Sequence, residues 1–232
     1  MTHNVYYTSM DNAFGYDIEP LRDHFINNIF TKNEFIPKIQ FCPAFNDYVK
    51  NVFIIKSTCQ YEIEWDGKNI SSPLYNQEFF NKNILVRNAE VGLLSYIIPH
   101  PLFYSDSEDL NMSQEFPYFH DNNITNSAYV MPGIFNIGKH IPRPVELSVK
   151  FKRPGSIVIN EGDALFYVRF HTTDKVIFKK FVMTNKLLTF LNDNLYIRKY
   201  TKNYKPLQWW YDLVKRHNYK KFFLKEIKDN LL

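Results

Sequence analysis

The chain is poor in the residues that staple, bend or thin out a fold. It has 2 cysteines, 7 glycines and five alanines in 232 residues. Cys42 and Cys59 are too few for a disulfide framework, and the expectation is two reduced thiols that pack as small apolar side chains. There is no Gly-rich phosphate loop and no Walker sequence, which excludes a P-loop NTPase. There is no Gly-x-Ser-x-Gly elbow, no His-Glu-x-x-His and no paired Cys-x-x-Cys. No apolar run reaches the roughly 18 residues of a membrane-spanning helix. Met1-Thr2-His3-Asn4 lacks the basic start and apolar stretch of a secretion signal, and neither end carries a lipidation box. The expected protein is therefore neither secreted nor membrane-bound.

What is present is apolar and aromatic. Hydrophobic residues make up 45% and aromatics 17%, too much for a disordered chain and enough for one sizeable core. The net charge of +4 is unevenly spread. From Arg198 to Leu232 ten Lys/Arg face three acids, a surplus of +7, so the first 197 residues carry −3. Such asymmetry points to a tail that meets something negative: an acidic patch on the body, an acidic partner or nucleic acid. The plain alternative is a solvated helix face.

The apolar pattern is mostly that of strands. Residues 19–30 predict a short helix, with Leu21, Phe25 and Ile29 on one face, and residues 43–51 predict another turn or two. Val52 to Lys56 and Gln60 to Trp65 read as strands, and Asp66-Gly67 as a hairpin turn. Ile84 to Arg87 and Val91 to Ile98 continue the series. Prolines break residues 99–144 into a long loop region or a set of short strands. The alternation of Val145, Leu147, Val149 and Phe151 then opens a run of four strands with tight turns, ending near Val182. Ala164 to Phe170 has few charges and predicts burial on two faces. Four such strands suggest a sandwich or barrel. After Val182 the period becomes helical, with Thr184 as N-cap. Tyr219, Phe223, Ile227 and Leu231 are spaced by four, with Lys221, Lys225 and Lys228 on the opposite stripe.

The expected fold is mainly β: a β-sandwich or jelly-roll-like body with short N-terminal helices and a helical C-terminal segment. Residues 1–183 form the body. Residues 184–232 form a basic segment packed on it or extending from it.

Candidate chemistry is thin. A facial iron site wants two histidines and a carboxylate, often as His-x-Asp/Glu on a strand, and that pattern is missing. His100, His120, His140 and His171 can still converge at one end of a sandwich and hold iron or another divalent metal; the alternative is four separate turn histidines. Cys42 or Cys59 paired with a histidine would be a nucleophile, but Cys42-Pro43 sits in an apolar stretch that suits packing. Tyr196, Tyr200, Tyr204, Trp209, Trp210 and Tyr211 alternate with Arg198, Lys199, Lys202 and Lys205. That mixture is what single-stranded nucleic-acid binding uses, although the same rings can anchor the tail to the sheet.

Phe41-Cys-Pro-Ala-Phe45, Asn51-Val-Phe-Ile-Ile-Lys-Ser57, Gly133-Ile-Phe-Asn-Ile-Gly138 and Glu161-Gly-Asp-Ala-Leu-Phe-Tyr-Val-Arg-Phe170 resemble segments of an uncharacterised family of tailed-phage proteins, typical of marine cyanophages. The resemblance runs from about residue 40 to the end and agrees with a composition rich in Asn, Ile, Lys, Phe and Tyr, which AT-rich codons write. It implies a phage setting, in the host cytoplasm or the virion, and no catalytic residue. Pro132-Gly133-Ile134-Phe135 followed by Gly162-Asp163 is also similar to the β-clip fold of dUTPases and dCTP deaminases. Asn136 and Lys139 depart from that motif, so this likeness implies topology alone.

The functional expectation is a non-enzymatic phage structural or accessory protein acting through protein–protein contacts. Its partners would be phage or host proteins or a second copy of itself, with no cofactor. The expected contact residues are Lys199, Lys202, Lys205, Trp209, Trp210, Lys221, Lys225 and Lys228. The alternatives are a small cupin-like, metal-dependent oxygenase using the four histidines, and single-stranded nucleic-acid binding by the tail.

Overall fold

The computed structural model describes residues 1–9, 18–29, 41–96, 101–139, 142–200, 212, 216 and 218–232. The N-terminal half contributes β1 (Thr2–Ser9), β2 (Ile18–Pro20), α1 (Leu21–His24, continued by a π-turn over Phe25–Ile29), α2 (Pro43–Val49), β3 (Val52–Lys56), β4 (Tyr61–Trp65), β5 (Ile70–Ser71), α3 (Gln77–Asn83), β6 (Ile84–Asn88), β7 (Leu93–Tyr96), β8 (Pro101–Ser105) and β9 (Asn111–Glu115). The rest contributes α4 (Asn123–Ser127), β10 (Ala128–Val130), β11 (Gly133–Asn136), β12 (Arg143–Pro144), β13 (Leu147–Phe151), β14 (Gly155–Ile159), β15 (Ala164–Phe170), β16 (Lys175–Lys180), α5 (Asn185–Tyr200) and α6 (Tyr219–Asp229). The fold is mainly β with helices at both ends, and the described residues of the proline-broken stretch, 101–139 and 142–144, form short strands together with the one-turn helix α4.

Pairing is long-range and nested. β3 pairs antiparallel with β15, β4 with β14 and β7 with β13. A long hairpin rolled on itself gives this order, which is the logic of a jelly roll. The outermost pair, β1 with β16, is parallel. The four successive strands after Val145 therefore do not form a meander. β13, β14, β15 and β16 each enter a different sheet, in the orders β10-β13-β7-β6, β14-β4-β5, β11-β9-β15-β3-β2 and β12-β8-β1-β16. Their tight turns are real, but each turn hands the chain from one sheet to the next.

Alternation along the strands sorts side chains into separate cores. Val5, Ile55, Phe103, Val168 and Phe170 face a central cluster that also takes Tyr61, Ile63, Leu94, Tyr96, Val149 and Ile157. On the far side of the β1 sheet, Tyr6, Leu102 and Tyr104 join Phe181, Leu187 and Leu191 with Phe223 and Ile227 of α6. On the far side of the β15 sheet, Val52, Ile54, Ala164 and Tyr167 join Leu21, Phe25 and Val49 of the N-terminal helices. β15 carries a register shift between Ala164 and Phe166. This bulge lets Leu165 and Phe166 both face the central core, while Ala164 and Tyr167 face outward.

Local chemistry sets the element ends. Asn76 and Asn122 accept from Phe79 N–H and Thr125 N–H as N-caps of α3 and α4, and Thr184 Oγ accepts from Leu187 N–H at the start of α5, as its residue type favours. Asn51 adopts the left-handed region at φ 56°, and its amide donates to Thr172 O and Asp174 O at 2.8 Å each. That ties the entry of β3 to the β15–β16 turn. Asn218 is also left-handed, at φ 52°, and starts α6. Cys42 and Cys59 are free, half-buried thiols.

Two stability measurements follow. Phe223 is 0% exposed, so F223A should cost about 3 kcal/mol or more in denaturant unfolding. The Tyr96 hydroxyl is buried and has no hydrogen-bond partner among the described residues. Replacing it by Phe should leave stability unchanged or raise it by about 1 kcal/mol, read as a higher Tm.

Candidate functional site

The basic helix α6 is a fixed part of the body. Its apolar stripe, Phe223 and Ile227, closes the core over Tyr6, Leu102 and Tyr104. Lys228 Nζ lies 3.8 Å from Asp106 Oδ2, and the same oxygen accepts from Tyr6 Oη at 3.1 Å and Asn4 Nδ2 at 3.3 Å. Burial first, and then the Asp106 charge, push the Tyr6 phenol up to about 12. Lys220 Nζ donates to Asp106 O at 3.1 Å and lies 3.4 Å from Glu108 Oε1. Glu226 turns inward to Lys186 Nζ at 2.7 Å and Thr184 Oγ at 3.1 Å, and the lysine holds its carboxyl below the ordinary range. Beyond α6 the chain hydrogen-bonds to the end of β16, through Val182 N–H to Asn230 O and Leu232 N–H to Lys180 O, both at 3.0 Å.

The acidic surface that part of the basic tail meets is thus the β8–β9 turn of the same chain, Asp106 to Glu108. Lys228 is spent there. Lys221 and Lys225 are exposed and have no ion pair among the described residues. They line a shallow recess with Asn218 and Leu224. Lys199 lies in α5, and its side chain is outside the described residues. Lys202, Lys205, Trp209 and Trp210 are outside them altogether.

The histidines do not appear as the expected group of four. His100 and His140 lie outside the described residues. His171 is exposed at the C-terminal end of β15, where its N–H bonds Asn111 O at 2.9 Å. His120 sits in the loop after β9, and its ring neighbours are His24 and Tyr167, not His171. Among the described residues no three His, Cys, Asp or Glu side chains gather as metal ligands.

His120 belongs instead to a polar cluster between the β15 sheet and the N-terminal helices. Its Nδ1 is 2.6 Å from Tyr167 Oη, and Tyr167 is 0% exposed. The Phe119 N–H donates to that same oxygen at 3.3 Å. Burial raises the Tyr167 pKa, so the phenol keeps its proton. Among the described residues His120 Nδ1 is the acceptor open to that proton, which leaves the ring proton on Nε2. Nε2 itself has no partner among the described residues, and His120 is only half-buried. The His24 ring stacks on it with centroids 4.5 Å apart and planes tilted by 36°. His24 Nδ1 is 3.5 Å from Glu19 Oε2, and Lys56 Nζ is 2.7 Å from that same oxygen. Burial opposes the Glu19 charge, but Lys56 and then His24 outweigh it and hold its pKa below the ordinary value. For His120 the largest effect is burial and the next is the neighbouring His24, and its pKa falls from 6.5 to about 4.

Aromatic rings border the cluster. Tyr118, Phe119 and Tyr48 remain 41%, 39% and 40% exposed. The Tyr118 ring lies 5.4 Å from that of Tyr167. The Arg169 guanidinium lies 4.3 Å over the Tyr48 ring, held by Glu115 at 2.7 Å through Nε and by Tyr48 O at 2.6 Å. Sequence reasoning named His120 and missed Glu19, His24, Lys56 and Tyr167. They come from separate segments with no fixed spacing, and the one local signal was Glu19 and His24 on either side of a helix start.

No family model, no curated protein and no solved structure matches the chain. Among the described residues no helix is long and apolar enough to cross a membrane.

The His120 imidazole predicts a pH profile. A histidine whose folded pKa is depressed is neutral in both states above about 6.5, and below that the unfolded chain takes up a proton that the folded one refuses. His120 should therefore erode stability as pH falls from 6.5 to about 4. H120Q should flatten that part of the Tm-against-pH curve, and a curve as steep as that of the unmodified protein would contradict the assignment.

Proposed function

We propose that this chain is a structural or accessory protein that acts by contact with an acidic protein surface, in the phage setting its sequence resemblance implies. The observation that carries this reading is the commitment of α6. Its apolar side is consumed by the protein's own core, so its outer lysines ride on a rigid support. Lys228 and Lys220 are drawn back to the β8–β9 turn, whereas Lys221 and Lys225 face outward unpaired among the described residues. A preorganised pair of cations on a fixed helix loses less entropy on docking than the same charges on a loose tail. Complementary charge of this kind steers encounter and selects partners.

Within the described residues the contact surface in this reading is centred on Lys221 and Lys225. Most of the basic, aromatic stretch behind the nucleic-acid alternative lies outside the described residues. The oxygenase alternative rested on four histidines, of which two lie outside the described residues and two stand in different surroundings.

A photo-activatable side chain at position 225 should give one discrete adduct in cells producing the protein. K221E should weaken that adduct several-fold while leaving stability within about 0.5 kcal/mol, as surface substitutions do. An adduct indifferent to K221E, or none, would remove the support.

A further inference from the structure

The outer side of α6 is a hollow and not a flat row of charges. Lys220, Lys221, Leu224, Lys225 and Lys228, with Asn218 at the helix start, line a recess of about 410 Å³. Beside it lies the β8–β9 turn, whose tip, Glu108 and Asp109, is exposed. The side chain of Glu108 keeps 71% of its surface in solvent, and Asp109 has no ion pair among the described residues. The turn is held in place from behind. Ser107 N–H donates to Ser105 Oγ at 3.1 Å and Asn136 Nδ2 donates to Glu108 O at 2.9 Å. Gly138 packs so closely that a Cβ there would lie 1.6 Å from Ser107 O. Recess and turn adjoin on one face, because Lys220 Nζ reaches Asp106 O at 3.1 Å and Glu108 Oε1 at 3.4 Å, and Lys228 Nζ reaches Asp106 Oδ2 at 3.8 Å.

This mixture of signs selects the occupant. A partner that is acidic throughout brings its charges toward Glu108 and Asp109 as well as toward Lys221 and Lys225, and like charges in contact are costly. A second copy of the chain removes that conflict, since it offers acids to the lysines and lysines to the acids. A twofold contact uses the same patch on both sides, so a basic hollow beside an acidic turn is complementary to itself. The match of these groups is already made once within each chain, where the turn meets two lysines of the same helix. Asp106, Glu108 and Asp109 against Lys220, Lys221, Lys225 and Lys228 leave the facing patches close to neutral. Both halves are rigid before they meet, which limits the entropy lost on docking.

We propose that the acidic surface met by α6 is the β8–β9 turn of a second copy of this chain, in a twofold contact where Glu108 and Asp109 of each copy enter the recess of the other. The inference rests on the reading of Lys221 and Lys225 as a contact surface, and it names what they contact. Leu224 and the lysine stems supply the apolar floor, and the charges set the register. Exposed ion pairs are individually weak, so the contact is reversible and sensitive to salt.

The test is sedimentation equilibrium of the untagged full chain, from about tenfold below to about tenfold above an expected Kd on the order of 0.1 mM. A monomer–dimer equilibrium is expected at low salt, weakening at least several-fold as the screening length falls from about 10 Å at 0.1 M to about 3 Å at 1 M. K221E/K225E, with an acidic recess, and E108K/D109K, with a basic turn, should each be monomeric over that range. An equimolar mixture of the two should dimerise again, because each then meets its opposite at both contacts, and mixing does not repair a damaged fold. A monomeric unmodified chain would overturn the proposal. So would a dimer that neither variant weakens, or two monomeric variants that stay monomeric when mixed. The adduct formed from position 225 separates this outcome from the reading beneath it. A discrete adduct with a different protein, from a chain that stays monomeric, removes the second copy and leaves the acidic partner standing. An adduct at twice the chain mass of 27.8 kDa supports both.

Discussion

Two of the four sheets are buried on both faces, and that constraint organises the molecule. β1 and β8 send alternate side chains into the central core and into a second core under α5 and α6. β3 and β15 do the same with the N-terminal helices. A strand buried on two sides leaves its outer residues as costly exposed surface unless something covers them. The helices at the two ends of the chain are those covers, so they are structural necessities before they are anything else. Tyr6, Leu102 and Tyr104 explain why α6 exists as a helix at all. Eleven residues are marginal alone, and the packing of Phe223 and Ile227 supplies what the isolated segment lacks.

The same constraint places the polar chemistry. Where α1 covers the β15 sheet, the contact is not uniformly apolar. It ends in Glu19, His24, Lys56, His120 and Tyr167, which share the layer with Leu21, Phe25 and Ile54. Low polarity there strengthens each charge–charge contact and makes each proton position matter. On the other side, α6 is pinned by charge to the β8–β9 turn, and the acids spent on pinning it decide which lysines remain outward. Both sites are by-products of how helices are fastened to sheets.

Much of the architecture was legible in the sequence. The strand at Ala164–Phe170 showed its two-sided burial through its lack of charge, and the spacing of Phe223 and Ile227 marked the inward stripe of α6. The sheet partners were not legible. Tight turns join β13, β14, β15 and β16, yet each strand pairs with one far away in the sequence, because a turn's residues set its local geometry and say nothing of which sheet the next strand joins. The bulge near Leu165 was hidden as well, since an unbroken apolar run conceals a change of face. Of the polar cluster, His120 alone was singled out. Its neighbours are ordinary residues whose meaning comes only from being brought together across more than a hundred positions of chain.

The placement of α6 also says something about the order in which the molecule can be made. Synthesis proceeds from the N-terminus, so β1 and β8 exist long before residues 219–232 leave the ribosome. Until then Tyr6, Leu102 and Tyr104 lack the part of their cover that Phe223 and Ile227 supply, and the acidic β8–β9 turn has neither Lys220 nor Lys228 to hold. The nascent protein must carry a partly open aromatic face from the completion of β8 until α6 emerges, a surface that chaperones recognise and that neighbouring nascent chains can stick to. Final closure is then a late, single docking event, and the lifetime of that open face is set by translation speed as much as by the stability of the finished fold.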